Sequence, residues 1–521
     1  MVSPEYLVAI DNGTQSVRVL VFDVHGNEVA KSKIELNAYV SNQPGWAEQD
    51  AYYYWQKLCE AFQALWAQGT VRPEQIRGVS LTTQRYTMIN LDAEFQPLRP
   101  AIVWMDQRRA MLEKPVGGFW GLAIKVLGLT PLINDLRSKA RDNWLQQFEP
   151  DVWAQTRYYV NLSAYLTYRL CGQLRDSCAS IVGYLPYDYK RQCWAKKGDL
   201  KWRLLAATAD MMPELVKPGE QLGVITESAH QQTGLPMALP MIAAASDKAC
   251  EVLGAGGTDP HIGCLSYGTT ATISTNTQRY IETIPFIPPY SSAIPDQYNT
   301  EMMVYRGFWM VSWFKQEFAH YEQRQAKEQG IATEQLFDDL LNQVPAGSMG
   351  LMMQPYWSPG VRQPGPEGKG AFIGFGDVHK RAHVYRAILE GLAYELRQGK
   401  ETIEQRSGLR MTHLRVSGGG SQSDAAMQLT ADIFAMPAER PHTYETSGLG
   451  AAINCAVGLG IYPDYSTACG AMTRIGDVFY PHRATVQLYD RLYREVYTKM
   501  YRRLQPLYRR IRDITGYPSA D

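Results

Sequence analysis

Long apolar runs are missing from this chain of 521 residues. No stretch of about 18 uncharged apolar residues occurs, which excludes a membrane-spanning helix. Cysteine is scarce, eight in all, and no C-x-x-C pair is present. That argues against a disulfide scaffold and against paired zinc or redox thiols, and it points to a reducing compartment. Cys171, Cys178 and Cys193 lie closest together and are expected to be small buried hydrophobes. An excess of either charge is missing too, since Lys plus Arg and Asp plus Glu are each 52. Without a global basic field, neither nucleic acid nor a membrane surface is an expected partner, and any anion must be bound locally. The first residues reach Glu5 before any basic residue or apolar run, so they lack the form of a signal peptide, and the expected location is cytoplasmic.

What is present is ordinary globular material: 45% hydrophobic, 11% aromatic and 20% charged residues. At about 150 residues per domain, this length calls for two large domains or more. Tyr6–Ile10 and Val17–Asp23 read as strands of a hairpin around Asp11-Asn12-Gly13-Thr14-Gln15-Ser16. A third strand is expected over Glu28–Leu36. Helix is expected over Asp50–Ala67, where Tyr54, Leu58, Phe62 and Leu65 share a face. Strands at Ile76–Thr82 and Met88–Leu91 and a long helical region over Met111–Tyr168 continue an α/β pattern. Pro240–Ala245 is a short apolar strand running into Ser246-Asp247-Lys248 and a helix. After Gly254-Ala255-Gly256-Gly257 the opening unit recurs, as His261–Ser266, the turn Tyr267-Gly268-Thr269-Thr270, and Ala271–Thr275. Two strand–turn–strand units half a chain apart predict a duplicated fold, with the boundary between residues 1–254 and 255–521. Later come a helix over His383–Gln405, a strand at Leu414–Ser417 leading into Gly418-Gly419-Gly420, and a buried helix over Ser447–Gly460. The C-terminal segment Leu488–Ile511 sets Tyr489, Tyr493, Tyr497 and Tyr501 four apart, as an amphipathic helix does.

Asp11, with Gly13-Thr14-Gln15-Ser16 after it, offers backbone N–H groups and hydroxyls to phosphate and a carboxylate to a hydrated metal. Alone it reads better as a polar hairpin turn, where Asp, Asn and Gly are the expected residues. The second Gly-Thr turn shifts that balance, because two such turns can close on one phosphate chain from opposite sides. Asp247 ends a buried strand, where open α/β sheets place ligands, and could take a proton from a hydroxyl or cap a helix. Arg85, Trp104 and Asp106 follow other strands and supply the donors, flat wall and acceptor of a polyol pocket.

Together these segments resemble the FGGY carbohydrate kinases, nearly end to end. Asp11–Arg18 is similar to the family's first phosphate loop, Gly45-Trp46-Ala47-Glu48-Gln49-Asp50 to the loop that follows, and Trp104-Met105-Asp106-Gln107-Arg108 to its sugar-pocket segment. Ser246-Asp247 falls on the catalytic base, Tyr267–Thr270 on the second phosphate loop, and Gly418–Asp424 on the adenosine loop. Gly370–Phe375 followed by His383–Glu390 resembles the C-terminal signature, and Ser138–Leu145 the N-terminal one, with Arg141 where lysine is usual. The resemblance implies an α/β fold of two ribonuclease H-like, actin-like ATPase domains around a central cleft, with ATP and Mg²⁺ as cofactors and a small sugar or polyol as substrate. A homodimer is compatible with it. By residue it implies Asp247 as catalytic base and Asp11 at the metal. It places Gln84, Arg85, Trp104, Asp106, Asp247 and Lys248 around the sugar, and Gly13, Thr14, Gln15, Ser16, Arg18, Gly268, Thr269, Gly419, Gly420 and Ser423 around the nucleotide. Tyr86 stands where glycerol kinases have glutamate, and Lys248 where xylulokinases usually have asparagine. The expected substrate is therefore of ketopentose size, such as xylulose or a related ketose or polyol, rather than glycerol. Arg85 and Lys248 could also favour a substrate richer in oxygens or bearing a carboxylate, and either could instead pair with Asp106. The rivals are a sugar-binding or regulatory protein of the same fold without turnover, and a glycerol kinase.

Overall fold

The computed structural model describes residues 5–112, 115–360 and 364–517, so the opening Met1–Pro4 lie outside it. The strand Tyr6–Asn12 is buried almost end to end and pairs antiparallel with Ser16–Asp23, Val8 opposite Val21 and Asp11 opposite Arg18. On its other edge it runs parallel to Ile76–Thr83, setting Asp11 beside Thr82. The first sheet has the order Gln221–Val224, Pro240–Ala243, Ile76–Thr83, Tyr6–Asn12, Ser16–Asp23, Glu28–Glu35. Its middle strands are nearly continuous apolar runs because both faces are covered. One cover is the helix Ala51–Trp66, capped by the Asp50 carboxylate, with Tyr54, Leu58, Phe62 and Leu65 all buried. Each such side chain contributes about 1.5–3 kcal/mol.

The second sheet repeats this order around Ile262–Tyr267. Ala271–Thr277 and Tyr298–Val304 lie on one side, and His413–Ser417, Ala438–Pro441 and Ile475–Phe479 on the other. In both sheets the central strand has an antiparallel hairpin partner on one edge and parallel strands on the other. The C-terminal ends of the parallel strands therefore open onto one cleft.

Between the sheets, the helices Asp247–Gly254 and Thr446–Gly458 lie against each other, and the second also covers the strands Tyr6–Asn12 and Ile76–Thr83. Glycine makes this approach feasible. A Cβ on Gly254 would lie 1.9 Å from the Thr446 carbonyl oxygen, and one on Gly450 would lie 1.9 Å from that of Cys250. The small-residue run of the sequence is thus a packing face, and it carries residues after 255 onto the first sheet.

Two expectations change. The region Met111–Tyr168 is not one long helical run: helices at Gly118–Val126, Thr130–Lys139, Arg141–Phe148 and Pro150–Gln155 precede a strand, Tyr158–Asn161. The helix Leu162–Cys171 follows that strand. Pro131 and Pro150 sit in first turns, where a missing N–H costs nothing. Cys171 and Cys178 are buried as expected, but Cys193 is exposed. The C-terminal tyrosines are core: Tyr489, Tyr493 and Tyr497 pack on the helix Arg381–Ser407 and donate to Glu390, Glu401 and Glu395.

Candidate active site

Three strands of the first sheet end together, at Asn12, Thr83 and Ala243. The Thr82 hydroxyl donates to the Ala245 carbonyl at 2.8 Å, and that of Ser177 donates to Ala244 at 2.6 Å. These bonds fix the backbone that delivers Asp247. Ser246 occupies the cap position of the next helix, yet its side chain makes no capping bond. Asp247 accepts instead from the Lys248 amide at 2.7 Å through Oδ1, and among the described residues no donor reaches its Oδ2. Burial pushes its carboxyl above the ordinary range, with Arg85 and Lys248 opposing. The result is an acid in a helix's first turn, where the N-terminal dipole favours the anion, with one oxygen unspent.

Arg85 reaches the same corner from the end of the neighbouring strand. The next residue, Tyr86, has φ +50°, a left-handed turn that is uncommon outside glycine. The Tyr86 ring lies over Arg141 and so close to Gly183 that a Cβ there would be 2.1 Å away. Arg141 donates to the carbonyls of Tyr86, Ile102 and Val103. The arginine that departs from the family lysine thus holds this turn. Arg85 donates from Nε to Ser246 Oγ at 3.3 Å and lies 3.9 Å from Asp247. Its two terminal nitrogens donate to Glu301 at 3.0 and 3.4 Å, and its plane stacks on Tyr290 at 4.5 Å. Both partners come from the second domain. Tyr290 and Glu301 also form part of the wall of an open pocket of about 950 Å³, counting the solvent at its mouth.

Lys248 points away from Arg85. Its Nζ donates to Glu251 at 2.7 Å and Ser266 at 2.5 Å, near Gly268 of the second turn. Ser417 donates to the other Glu251 oxygen at 2.7 Å. Burial opposes ionisation of Glu251, yet Lys248 and these hydroxyls hold its pKa below the ordinary value.

Asp11 is buried, and that burial pushes its pKa up to about 6; Arg18 opposes the rise while Asp247, Glu445 and Glu251 add to it. Arg18 lies 3.4 Å from Asp11 and 2.6 Å from Glu445. Next to it, Asn12 is fully buried with neither amide atom hydrogen-bonded. Converging carboxylates and unspent oxygen donors fit a hydrated Mg²⁺ carried on phosphates, which needs only one or two protein ligands. No group of three ligating side chains exists among the described residues.

Thr14, expected at phosphate, is tied to Trp104 and Gln84, both expected at the sugar. Trp104 Nε1 donates to its hydroxyl at 2.8 Å, and that hydroxyl donates to Gln84 at 3.0 Å. Gln84 in turn donates to Tyr54. Gly13 is folded back, its N–H donating to the Ser16 carbonyl at 3.0 Å, while Gln15 is exposed and Ser16 buried. Across the cleft Gly268 is half-buried and Thr269 exposed, with the amides of Phe308 and Trp309 donating to their carbonyls. In the glycine loop, Cβ atoms on Gly418 and Gly420 would strike the Tyr267 backbone at 2.9 Å and the Phe308 ring at 2.3 Å. Only Gly419 faces open space. Ser423 caps the helix Asp424–Phe434 and bonds Asp338.

Asp106, expected at the sugar, is engaged within the protein. Its side chain is fully enclosed, and all four acceptor sites are filled, by the Ala47 and Arg108 amides and twice by the Arg108 guanidinium, at 2.7–3.0 Å. It ties Ala47 to Arg108 within the first domain. Glu301, Tyr290 and Glu445 were missed because their partners Arg85 and Arg18 lie far off in the chain, and Glu251 because its pairing with Lys248 three residues earlier reads as an ordinary helix-face ion pair. One signal existed: Glu301 is a lone acid in the otherwise uncharged strand Tyr298–Val304, where an unpaired charge is costly.

Comparison with known proteins gives the family. Residues 6–254 match the N-terminal domain model of the FGGY family of carbohydrate kinases, and residues 263–459 the C-terminal one. The uncharacterized sugar kinase YgcE of Escherichia coli (strain K12) is 31% identical, over 95% of this chain and 93% of its own. A xylulose kinase of Staphylococcus epidermidis (strain ATCC 35984) is 26% identical over 96% and 98%. The crystal structure of a xylulose-type kinase from Brucella ovis superposes with a TM-score of 0.80, at 22% identity over 96% of this chain and 100% of its own. Two repeated sheets around a cleft and matches to both domain models along the chain place it in the FGGY family of carbohydrate kinases, enzymes of the actin-like ATPase fold.

Proposed function

We propose that this sugar kinase transfers the γ-phosphoryl group of ATP to a hydroxyl of a ketose or polyol of about pentose size, with Asp247 as the base. The carrying observation is the unspent Oδ2 of Asp247, set in the cleft between Arg85 of the sugar corner and Lys248 facing the second phosphate turn. The substrate hydroxyl gives its proton to Asp247 as its oxygen attacks phosphorus in line and the β–γ bridging oxygen leaves with ADP. Lys248, released from Ser266, stands close enough to the second turn to meet charge on the transferring group. Mg²⁺ near Asp11 would neutralise phosphate charge when bound. Gly419, Gly420 and Ser423 border the adenosine, and Thr269 and the first turn border the phosphates. The halves 1–254 and 255–521 close over both substrates, excluding the water that would otherwise accept phosphate.

Tyr86 supports the exclusion of glycerol. Its buried side chain is pinned by Arg141 and Gly183, so the position offers no carboxylate to a small polyol. A coupled ADP-release assay over ketopentoses, pentitols and glycerol tests this reading. Turnover with a pentose-sized compound and little with glycerol is expected. Glycerol as the best substrate would overturn the size assignment, and sugar-induced stabilisation without turnover would support a binding protein.

A further inference from the structure

Both cations beside the base are already matched by protein carboxylates, Arg85 by Glu301 and Lys248 by Glu251. The Arg85–Glu301 pair is built as a fork: two guanidinium nitrogens meet two carboxylate oxygens, and the side chains are 11% and 3% exposed. Ser274 donates to the same Glu301 at 3.4 Å, Tyr290 stacks on the guanidinium and Ser246 takes its Nε–H. A guanidinium has five N–H groups. Three are committed here, leaving two that can donate to neutral hydroxyls. A substrate carboxylate at this point would meet one cation and two anions, Glu301 and Asp247, within the same corner.

We infer that Glu301 sets the charge class of the substrate: it neutralises Arg85 so that the pocket takes uncharged ketoses and polyols and rejects aldonates. This rests on the kinase reading above and narrows it. Fork geometry is what a substrate carboxylate would itself require of an arginine, and Glu301 holds that position from the opposite domain. Closure of the cleft and selection against anions are then served by one contact. Among the described residues of the pocket wall, Arg306, stacked on Trp309, is a further cation that could attract an acid.

The test compares kcat/KM for ribulose, xylulose, ribitol and xylitol with ribonate, xylonate and gluconate, in the unaltered enzyme and in Glu301→Gln. Like charges brought together across a binding site repel, so the aldonates should fall at least about 100-fold below the best uncharged compound. Glu301→Gln should narrow that gap about tenfold or more, by lowering KM for aldonates. An aldonate preferred by the unaltered enzyme overturns the inference, more so if Arg306→Gln abolishes the preference. An unchanged gap in a Glu301→Gln protein of normal melting temperature also overturns it. Should Glu301→Gln not fold, the comparison in the unaltered enzyme decides. If no compound is phosphorylated, the kinase reading fails, and ligand-induced melting shifts judge the charge class. Stabilisation by uncharged sugars alone sustains it; stabilisation by an aldonate, or by none, sinks it.

Discussion

Arg108 and Arg85 lie in the same half of the molecule, each beside an acid of the expected sugar pocket, but their surroundings differ in kind. Arg108 is sandwiched between Trp46 and Trp144 at 4.0 and 4.5 Å and pairs with Asp106 and Glu48, all within the first domain. Glu48 also receives Arg99, which binds Glu149. Every acceptor of Asp106 is filled. Arg85 has one aromatic face, a carboxylate from the other domain and spare N–H groups, and its near neighbour Asp247 keeps an oxygen open with 28% of its side chain exposed. The same residue types therefore make a brace in one place and a site in the other. Arg108 also keeps an Nη1 without a hydrogen-bond partner among the described residues, but it is sealed from solvent; what sets the Arg85 corner apart is unspent capacity that opens on the cleft.

The largest effect should come where that capacity carries the proton. Asp247→Asn is nearly isosteric, keeps an acceptor for the Lys248 amide and removes the base. Turnover should fall about 10²-fold to 10⁴-fold, with melting temperature and ATP affinity close to the parent's. Near-parent turnover would erase the distinction between the two acids.

Asp106→Asn should act oppositely. An amide N–H₂ would face donors from Ala47 or Arg108, and the buried cluster would lose its charge balance. Breaking such a pair costs about 3–5 kcal/mol, read as a lower urea midpoint. A stable Asp106→Asn protein with a sugar KM raised alone would return Asp106 to the ligand.

Much of the site's position was legible in the sequence because it depends on short-range chemistry. A polar Gly-Thr turn between two apolar strands, an acid at a strand's end and a glycine loop before a helix each declare themselves within a few residues. The pairing of Arg85 with Glu301, 216 positions apart, does not, nor does the enclosure of Asp106, which depends on Ala47 and Arg108 folding over it. Glycine shows the same limit. Gly418 and Gly420 read as room for a ligand, but the protein's own Tyr267 and Phe308 take that room.

Arg85→Lys makes a smaller, more selective test. Lysine keeps a charge opposite Glu301 but loses the planar fork and the Ser246 bond. The sugar KM should rise about tenfold, consistent with one to two lost hydrogen bonds, while KM for ATP stays within about twofold. A matching rise for ATP would place Arg85 on the nucleotide instead.

Asp176 is a third kind of buried acid and the mildest to perturb. It has neither the arginine of Asp106 nor the cleft of Asp247: Ser163 donates to it at 2.7 Å and the Ser177 amide at 2.8 Å. Burial pushes its pKa up to about 7 from an ordinary 3.8, with those hydrogen bonds opposing. Between these two values the folded protein holds a proton that the unfolded chain releases, so stability is fully present below about pH 4 and is lost as pH rises through about 7. Asp176→Asn cannot titrate. Its amide can still accept from the Ser177 N–H and donate to the Ser163 hydroxyl. Urea midpoints between pH 4 and 8 should therefore fall less steeply for the variant than for the parent. The slope should shrink rather than vanish, because Asp11 and Asp142, both pushed up to about 6, titrate in the same window. An identical slope in parent and variant would mean that Asp176 is ionised throughout, and that neutral donors, a hydroxyl and a backbone amide, hold a buried carboxylate as firmly as an arginine does.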